Sequence, residues 1–339
     1  MLGAIEVKSV IAKDQMVYIE ERPKMDILPS YLMIKTLYSA ISPGTELSLI
    51  TASNDREISL GYSAVGIVEE CGNGITDFQE GDIVACYGAP YVGHSEYLCV
   101  PKTLCAKVPN GMDPKEAALA GIGAIAIHAL RKAKLAFGET VVIVGLGLLG
   151  QMIAKIAHAA AYDVLAYDVQ AERGAMLKEE SGITSFSNLE EMKEEINVRT
   201  FNRGADAVLL CAGGKRSTLT GQSLEWIRNQ GKVVIVGDIE PDFPRELMFG
   251  KEAQILISRA GGPGRYDPVY EKQAVDYPYG YVRWTEGRNV AEYLRLVNEK
   301  RIKINSFITE EVNIDQAPAA YKDLTDKKSK TLTKLIRFR

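Results

Sequence analysis

The segment that most constrains the fold of this chain runs from Val141 to Gly150. Its first part, Val141–Val144, is a short β-branched run typical of a buried parallel strand. The spacing Gly-x-Gly-x-x-Gly follows over Gly145–Gly150 and leads into a helix beginning near Gln151. Glycine serves there for a tight turn, for close approach of the backbone to a pyrophosphate, and for helix packing on the sheet. The segment therefore predicts a strand, turn and helix that bind a dinucleotide at the helix N-terminus.

A second apolar run, Val164–Tyr167, leads to Asp168, at the spacing of about 20 residues expected for the acidic residue that binds the adenosine ribose. A carboxylate there accepts hydrogen bonds from both ribose hydroxyls of NAD and repels the 2′-phosphate of NADP. Asp168 therefore favours NAD over NADP, although Arg173 would soften the repulsion. Two later turns at strand ends are expected to contact the cofactor as well. The predicted cofactor-binding residues are Gly145, Gly147, Leu148, Leu149, Gly150, Asp168, Val169, Arg173, Cys211, Ala212, Gly213, Val236, Gly237 and Asp238.

Composition and charge exclude several other classes of protein. The 339 residues are 46% hydrophobic and 25% charged, with a formal net charge of −4, and they suffice for two domains. This charge provides no basic surface for nucleic acid or a membrane. No apolar stretch reaches the ~18 residues of a membrane span, and charge comes too early for a secretory leader. The five cysteines form no C-x-x-C pair, which favours a reducing cytoplasm over a disulfide framework.

The two halves of the chain differ in their predicted secondary structure. Up to about residue 110, short apolar runs alternate with turn sequences such as Gly72–Gly74, which predicts a β-rich domain. From about Glu139, apolar strands alternate with helical stretches, one of them over 219–228, which predicts a doubly wound parallel sheet. The chain then returns through a closing strand near 331–338. The predicted fold class is therefore α/β, with a second, β-rich domain.

Residues 72–84, together with the Gly145–Gly150 turn, resemble the medium-chain dehydrogenase/reductase family, and the resemblance covers essentially the whole chain. Three further segments, Ser42–Glu46, Gly262–Pro268 and Gly280–Glu286, are similar to a subgroup that is often fused to a second oxidoreductase domain. That subgroup is associated with the metabolism of sugars, cyclitols or polysaccharides.

This resemblance implies a particular domain organisation. It places a GroES-like catalytic domain at 1–120, a Rossmann NAD-binding domain at 121–262, and at 263–339 a segment that returns to the catalytic domain. It also implies a homodimer, formed through an edge strand near Ile255–Ser258.

Zinc-dependent members of the family bind a catalytic metal through a cysteine, a histidine and a later cysteine or glutamate, and the metal polarises the substrate oxygen. At the matching positions this chain has Pro43, Tyr62 and, near Gly121–Gly123, no ligand atom. The resemblance therefore implies an enzyme without zinc. An alternative zinc site would use three other residues, namely Glu46, Cys86 and His94.

Hydride transfer without a metal needs a hydrogen-bond donor for the substrate oxygen and a base for the hydroxyl proton. Thr45 matches the family's hydroxyl that contacts the substrate oxygen and relays its proton toward the cofactor ribose. Tyr62 is a candidate donor, or it only fills the space of a lost ligand. Glu46 is a candidate base or orienting group. His94 is a candidate proton shuttle, or a histidine whose ring is satisfied by the backbone.

A polar and aromatic insertion follows the last predicted strand of the sheet. Its residue types suit a polyhydroxylated ring, because C–H faces stack on aromatic rings while charged groups bind hydroxyls. Such residues are also enriched at protein interfaces, so an oligomer contact or a domain-closing loop is the alternative. The candidate substrate-binding residues are Arg265, Tyr266, Asp267, Tyr281, Arg283 and Trp284.

Together these features predict a zinc-independent, NAD-dependent oxidoreductase. Its predicted reaction interconverts a secondary alcohol and a ketone in a sugar, cyclitol or related polyol. One alternative is an NADPH-dependent quinone or enone reductase, which would need an apolar pocket; Asp168 and the polar insertion argue against it. Another is a non-catalytic cofactor-binding redox sensor, against which the density of polar groups argues.

Overall fold

The computed structural model describes residues 5–215, 217–325 and 331–338. Within them the chain divides into two compact units. The first comprises the residues up to Ala124, Gly261–Lys300 and those from Ile304 onward, and the second comprises Ile125–Ala260 with Arg301–Lys303. No helix in these described ranges combines the length and the apolar character that crossing a membrane requires.

The described residues form sixteen strands and eleven α-helices. The strands are β1 (Glu6–Lys13), β2 (Met16–Pro23), β3 (Tyr31–Ala40), β4 (Ile58–Ser59), β5 (Ser63–Cys71), β6 (Ile83–Tyr87), β7 (Tyr97–Pro101), β8 (Cys105–Lys107), β9 (Thr140–Val144), β10 (Asp163–Tyr167), β11 (Thr184–Phe186), β12 (Ala205–Leu210), β13 (Ile227–Ile235), β14 (Gln254–Ile257), β15 (Ile308–Asn313) and β16 (Thr333–Arg337). The α-helices are α1 (Pro43–Thr51), α2 (Pro114–Ala117), α3 (Ala120–Ala133), α4 (Leu148–Ala159), α5 (Ala171–Ser181), α6 (Leu189–Arg199), α7 (Leu219–Trp226), α8 (Arg245–Gly250), α9 (Pro268–Glu271), α10 (Glu286–Asn298) and α11 (Ala317–Leu324).

The first unit is built on a predominantly antiparallel sheet with the order β15-β16-β3-β5-β6-β8, and β7 also pairs with β3. A smaller sheet has the order β2-β1-β4. The end of the chain closes the larger sheet, because Leu335 of β16 pairs with Ala40 of β3. That pairing sets the C-terminal segment beside the start of α1. An apolar core that includes Ile41, Leu60 and Tyr321 lies at this junction.

The second unit is a parallel sheet with the order β11-β10-β9-β12-β13-β14. Val141–Val144 is almost completely buried, as expected for a parallel strand covered on both faces. The strand order reverses at β9, and ligands of such sheets bind beyond the carboxyl ends of the strands at this switch point. The predicted α/β fold with a doubly wound sheet is confirmed.

One predicted helix is too long. The sequence pattern predicts a helix over 219–228, but α7 ends at Trp226. Ile227 instead begins β13, where it pairs with Ala205 of β12. Its β-branched side chain is fully buried there. Pairing with the neighbouring strand outweighs the local helical preference at this position.

Candidate active site

The Gly-rich turn after β9 uses each of its three glycines differently. Gly145 has a φ of +93°, and a Cβ there would lie 2.7 Å from the backbone nitrogen of Ala212. A Cβ on Gly150 would lie 1.8 Å from the carbonyl oxygen of Gly145, so only glycine lets α4 begin this close to the turn. Gly147 is the N-cap of α4, and a Cβ there would meet nothing within 4 Å. Open space therefore lies where the helix N-terminus presents its N–H groups.

Asp168 lies directly after β10 and is tied to this turn. Its Oδ2 accepts a hydrogen bond of 2.6 Å from the backbone N–H of Leu146 and lies 3.6 Å from Nη1 of Arg173. Its Oδ1 accepts a hydrogen bond of 2.8 Å from the backbone N–H of Gln170. A carboxylate has about four acceptor sites, so Asp168 keeps lone pairs for further donors. The next residue, Val169, is 77% exposed.

The other two predicted cofactor turns lie at the same edge of the sheet. Cys211–Gly213 follows β12, and Val236–Asp238 follows β13. A Cβ on Gly237 would lie 2.4 Å from the carbonyl oxygen of Ala212, so these turns pack closely against each other. Since Ala212 also approaches Gly145, the structure brings all three turns together at the carboxyl ends of β9, β12 and β13.

These features fit a dinucleotide. The open space at Gly147 suits a pyrophosphate on the N-terminus of α4, and a side chain at that position would fill it. The carboxylate of Asp168, fixed by two backbone N–H groups, suits an adenosine ribose. We refer to this arrangement, formed by Gly145–Gly150 and Asp168, as the dinucleotide cradle.

A second constellation lies in the first unit and centres on Glu46 of α1, whose side chain is fully buried. Its Oε1 accepts a hydrogen bond of 2.8 Å from the backbone N–H of Ser42. Its Oε2 lies 2.9 Å from Nε2 of His94 and accepts a hydrogen bond from the hydroxyl of Tyr321. The Nδ1 of His94 lies 2.6 Å from Oγ of Ser39. The expectation that the backbone satisfies the His94 ring is therefore wrong, because Ser39 and Glu46 do so.

Three hydrogen-bonding partners compensate the Glu46 carboxyl group for its loss of water. Burial, reinforced by the neighbouring Glu46, raises the pKa of Tyr321 well above its usual value, so the phenol remains a donor. The buried network fixes the start of α1, where Ser42 and Thr45 lie.

Ser42, Thr45 and Tyr62 form a hydroxyl cluster next to this network. The phenol of Tyr62 donates a hydrogen bond of 2.5 Å to Oγ of Ser42, and the hydroxyl of Thr45 also interacts with it. Burial raises the pKa of Tyr62 to about 12, against the opposing effect of the hydrogen bonds with Ser42 and Thr45. The phenol is therefore protonated at neutral pH. Thr45 is exposed, whereas Tyr62 is partly buried.

The positions that match the family's zinc ligands hold other groups. Pro43 has no ligand atom, and Tyr62 is a protonated phenol. A Cβ on Gly121 would lie 2.7 Å from the ring of Tyr87 and 2.8 Å from Oγ of Ser63, so no ligand side chain fits there. Catalytic zinc binds thiolate, imidazole or carboxylate ligands. The residues at these positions do not fit a zinc ion.

The alternative zinc site is not assembled in the described residues either. Glu46 and His94 contact each other, but Cys86 lies in an apolar cluster and its Sγ is 3.6 Å from the carbonyl oxygen of Ala64. Burial raises the pKa of Cys86 to about 12, which disfavours the thiolate that a metal would need. Across the ranges given above, no group of three or more His, Cys, Asp or Glu side chains is arranged to hold a metal ion.

Two charged residues of the predicted substrate insertion are engaged within the first unit. Arg265 forms an ion pair with Glu271 and donates a hydrogen bond of 2.6 Å to the carbonyl oxygen of Ala89. Asp267 caps α9 and accepts a hydrogen bond from the hydroxyl of Tyr277. Both residues therefore hold the insertion in place.

The aromatic residues of the insertion are paired with cations. The guanidinium of Arg283 lies 3.7 Å from the ring centroid of Trp284, and that of Arg265 lies 4.1 Å from the ring centroid of Tyr266. One face of each ring is thus already covered. Tyr281 has no such partner among the described residues and is 91% exposed. Of the candidate substrate residues, Tyr281 presents the freest aromatic surface.

Glu286, the first residue of α10, was not among the predicted site residues. Its side chain is fully buried, and its carboxyl group interacts with that of Glu271. Burial raises its pKa to about 8, although Arg265 favours the charged form. Glu286 also interacts electrostatically with Tyr87, whose ring lies 6.0 Å from that of Tyr62. The insertion therefore reaches the surroundings of the hydroxyl cluster through Glu286 and Tyr87.

Sequence reasoning also missed Ser42 and Tyr321. A signal for Ser42 exists, since its hydroxyl stands directly before the proline that replaces a metal ligand. No local signal marks Tyr321, because it meets Glu46 only through the closure of the sheet by β16. The sequence identifies Glu286 as the first residue after the helix-capping Thr285, but it does not predict that Glu286 is buried.

Two family profiles match the chain. The "Alcohol dehydrogenase GroES-like domain" matches residues 29–141, and the "Zinc-binding dehydrogenase" profile matches residues 145–274. The chain belongs to the medium-chain dehydrogenase/reductase family, whose members resemble alcohol dehydrogenases. The predicted GroES-like and Rossmann-type fold is thereby confirmed.

Individual proteins agree with this membership. The chain is 27% identical to D-xylulose reductase A of Aspergillus oryzae over 242 residues, covering 61% of this chain and 67% of that protein. It is 25% identical to a sorbitol dehydrogenase of Halalkalibacterium halodurans over 297 residues, covering 78% and 79%. The fold is similar to that of galactitol-1-phosphate dehydrogenase from Escherichia coli, with a TM-score of 0.80, 19% identity, and 98% and 100% coverage.

Proposed function

We propose that this protein is an NAD-linked oxidoreductase that interconverts a secondary alcohol and a ketone in a sugar, cyclitol or related polyol. The observation that carries the proposal is the hydroxyl cluster of Ser42, Thr45 and Tyr62, which occupies the region of the family's metal ligands. Protein hydroxyls, rather than a zinc ion, would then contact the reacting oxygen.

The preference for NAD rests on Asp168. Its buried carboxylate, held by two backbone N–H groups, would accept hydrogen bonds from ribose hydroxyls and repel a 2′-phosphate. Arg173, at 3.6 Å, already faces this carboxylate and so is less available to a phosphate. A bound nicotinamide would supply the hydride acceptor for alcohol oxidation.

Tyr62 and Thr45 are the residues we assign to the substrate oxygen. A phenol that stays protonated donates a hydrogen bond to a ketone oxygen and stabilises the negative charge that develops there. In the reduction direction the phenol turns its one proton from Oγ of Ser42 to the developing alkoxide, and a proton from solvent replaces it through the exposed hydroxyl of Thr45, which also interacts with the phenol. In the oxidation direction the same hydroxyls carry the proton away.

Glu46 and His94 are assigned a positioning role. Both are buried, at 0% and 1% exposure, so neither reaches a substrate directly. Glu46 instead holds the backbone N–H of Ser42, and His94 holds Glu46. Their removal is expected to misplace the hydroxyl cluster.

A polyol substrate is supported by the named relatives, a D-xylulose reductase and a sorbitol dehydrogenase. The insertion adds polar and aromatic surface, of which Tyr281 is the most exposed residue. We further propose a homodimer formed through β14, which lies at the edge of the parallel sheet and exposes Ile257. Sedimentation of the wild type and Ile257→Lys tests that assembly.

The test is oxidation of sorbitol, xylitol, inositols and aldose sugars, with NAD and NADP in separate reactions. Turnover of a polyol with NAD is expected, with NADP clearly poorer. Reduction of simple quinones or enones with NADPH, but no polyol oxidation, would support the alternative enzyme class instead. Binding of NAD without turnover of any compound would support a redox sensor, and either result would overturn the proposal.

A further inference from the structure

Arg265 joins the insertion to the turn that follows β6. Its Nη2 donates a hydrogen bond of 2.6 Å to the carbonyl oxygen of Ala89, and its Nη1 donates one to Oε1 of Glu271. A planar guanidinium presents its N–H groups in fixed directions, so it serves both acceptors at once. The position of this turn relative to α9 therefore depends on Arg265.

The same turn contacts Tyr62 in two ways. The backbone N–H of Gly88 donates a hydrogen bond of 2.9 Å to the carbonyl oxygen of Tyr62, and the ring of Tyr87 meets the ring of Tyr62 edge-on. A Cβ on Gly121 would lie 2.7 Å from the Tyr87 ring, and one on Gly261 would lie 2.6 Å from it. Because the Tyr87 ring has no room to move away, a shift of the turn would displace Tyr62.

Glu271, the carboxylate that binds Arg265, also forms a hydrogen bond with the carboxyl group of Glu286. Ionised carboxylates only accept hydrogen bonds, so this contact requires a proton on one of the two groups. Glu271 accepts hydrogen bonds from Arg265 and, at 3.0 Å, from the backbone N–H of Tyr266, and both favour its charged form. Glu286, whose side chain is fully buried, is therefore the protonated partner. Burial raises its pKa to about 8, in agreement with this assignment.

Of the described groups that interact with Glu286, Arg265 is the only cation. Three tyrosines also interact with Glu286, and each has a raised pKa and stays uncharged at neutral pH: Tyr87, Tyr270 and Tyr277. If Glu286 lost its proton, two carboxylates would share one guanidinium. A hydrogen bond to a charged oxygen is roughly twice as strong as one to a neutral oxygen. Ionised Glu286 would therefore compete with the Ala89 carbonyl for Arg265.

We propose that the proton shared by Glu271 and Glu286 positions Tyr62 for the reaction. While the proton is present, Arg265 stays on the carbonyl oxygen of Ala89 and holds the turn against Tyr62. Loss of the proton draws Arg265 toward Glu286, loosens the turn and lowers kcat. This inference rests on the proposed function, in which Tyr62 contacts the substrate oxygen. Arg265 and the two glutamates act through Tyr62 and are positioning residues.

The first part of the test needs no substrate. The protein has two tryptophans, of which Trp284 lies two residues before Glu286 and Trp226 lies in the core of the second unit. In nitrogen-15 NMR spectra, assigned with Trp284→Phe, the indole signal of Trp284 should shift with pH around a midpoint of about 8, while that of Trp226 stays in place. Glu286→Gln should abolish the shift. A Trp284 signal that does not move, or moves equally in Glu286→Gln, would overturn the shared proton.

The second part measures kcat for polyol oxidation with NAD below and above this midpoint. The glutamine amide donates to Glu271 at every pH, so the ratio of kcat for Glu286→Gln to kcat for the wild type should rise about tenfold across the midpoint. The exposed Glu179→Gln is the control and should give a constant ratio.

Arg265→Lys separates positioning from charge. It keeps the positive charge but lacks the fork that reaches both acceptors, so kcat should fall at every pH while the Kd of NAD stays the same. A kcat ratio for Glu286→Gln that does not change with pH, or full activity of Arg265→Lys, would overturn the proposal. Titration of Trp284 without turnover of any polyol would confirm the shared proton but overturn the proposed function and the role of Tyr62 with it.

Discussion

The dinucleotide cradle and the hydroxyl cluster are constructed in opposite ways. The cradle depends on side chains that are missing, since glycines leave room at the turn and at the helix N-terminus. The hydroxyl cluster depends on side chains that are present, since Tyr62 contacts Ser42 and the buried Glu46 holds the backbone of Ser42. Added atoms should therefore damage the first site, whereas removed atoms should damage the second.

The two sites also differ in how far apart their residues lie in the sequence. Gly145–Gly150 is continuous, and Asp168 follows within one strand and helix. In the first unit, by contrast, Glu46 meets Tyr321 across 275 positions. Local chain geometry is sufficient for the cradle, whereas the second site exists only after the whole sheet has closed.

The largest expected effect comes from filling the cradle. Gly147→Asp places a carboxylate at the N-terminus of α4, where it takes the space and the favourable field of the pyrophosphate. We expect NAD binding to weaken by about 100-fold or more, equivalent to about 3 kcal/mol. Isothermal titration calorimetry measures this change.

Gly250→Asp is the matched control for that experiment. A Cβ at Gly250 also meets nothing within 4 Å, and this residue ends α8, away from the cradle residues in sequence. It should bind NAD like the wild type. Wild-type affinity in Gly147→Asp would show that the cradle does not bind the cofactor.

Removing one oxygen from the hydroxyl cluster should be nearly as damaging. Tyr62→Phe deletes the donor assigned to the substrate oxygen, and kcat/KM for a polyol should fall about 100-fold. The effect should fall mainly on kcat, because charge develops on the oxygen in the transition state. Tyr18→Phe on β2 is the control and should be silent. If Tyr62→Phe were fully active, Tyr62 would only fill the space of a lost ligand.

Glu286, which lies in the first unit, makes the free energy of unfolding depend on pH. Its pKa of about 8 lies above the 4.5 of an unperturbed glutamate, so between these values the folded state holds a proton that the unfolded state releases. This part of the stability is complete below pH 4.5 and is lost as the pH rises through about 8.

Glu286→Gln should abolish that loss. Above the pKa of Glu286, the variant should be more stable than the wild type, by on the order of 2 kcal/mol. Urea unfolding below and above this pKa provides the comparison, with the exposed Glu179→Gln as a control. If the free energies of unfolding of the wild type and Glu286→Gln changed with pH in the same way, the buried carboxyl group of Glu286 would not be the source of this pH dependence.

The smallest effect is expected at the edge of the Glu46 network. Tyr321→Phe removes one of the hydrogen bonds to the buried carboxyl group and should lower the free energy of unfolding by about 1–2 kcal/mol. Glu46 keeps its contacts with His94 and the Ser42 N–H, so activity should fall only several-fold. An unchanged free energy of unfolding, again relative to Tyr18→Phe, would contradict a stabilising role for this contact.

This contrast explains what the sequence could and could not predict. The strand, turn and acidic residue of the cradle were predictable, because short-range spacing determines their geometry. Thr45 and Tyr62 were identified through the family pattern, but Tyr321 and Glu286 were not. Their roles depend on burial and on partners far along the chain, and no periodicity or spacing encodes those.

The central claim is that protein hydroxyls, and not a metal ion, contact the reacting oxygen. It is tested most directly by measuring the metal content of the purified active protein together with turnover before and after removal of metal by a chelator. The account predicts far less than one transition-metal ion per chain and undiminished turnover after chelation. One zinc ion per chain, lost together with turnover and restored with it by added zinc, would contradict the account.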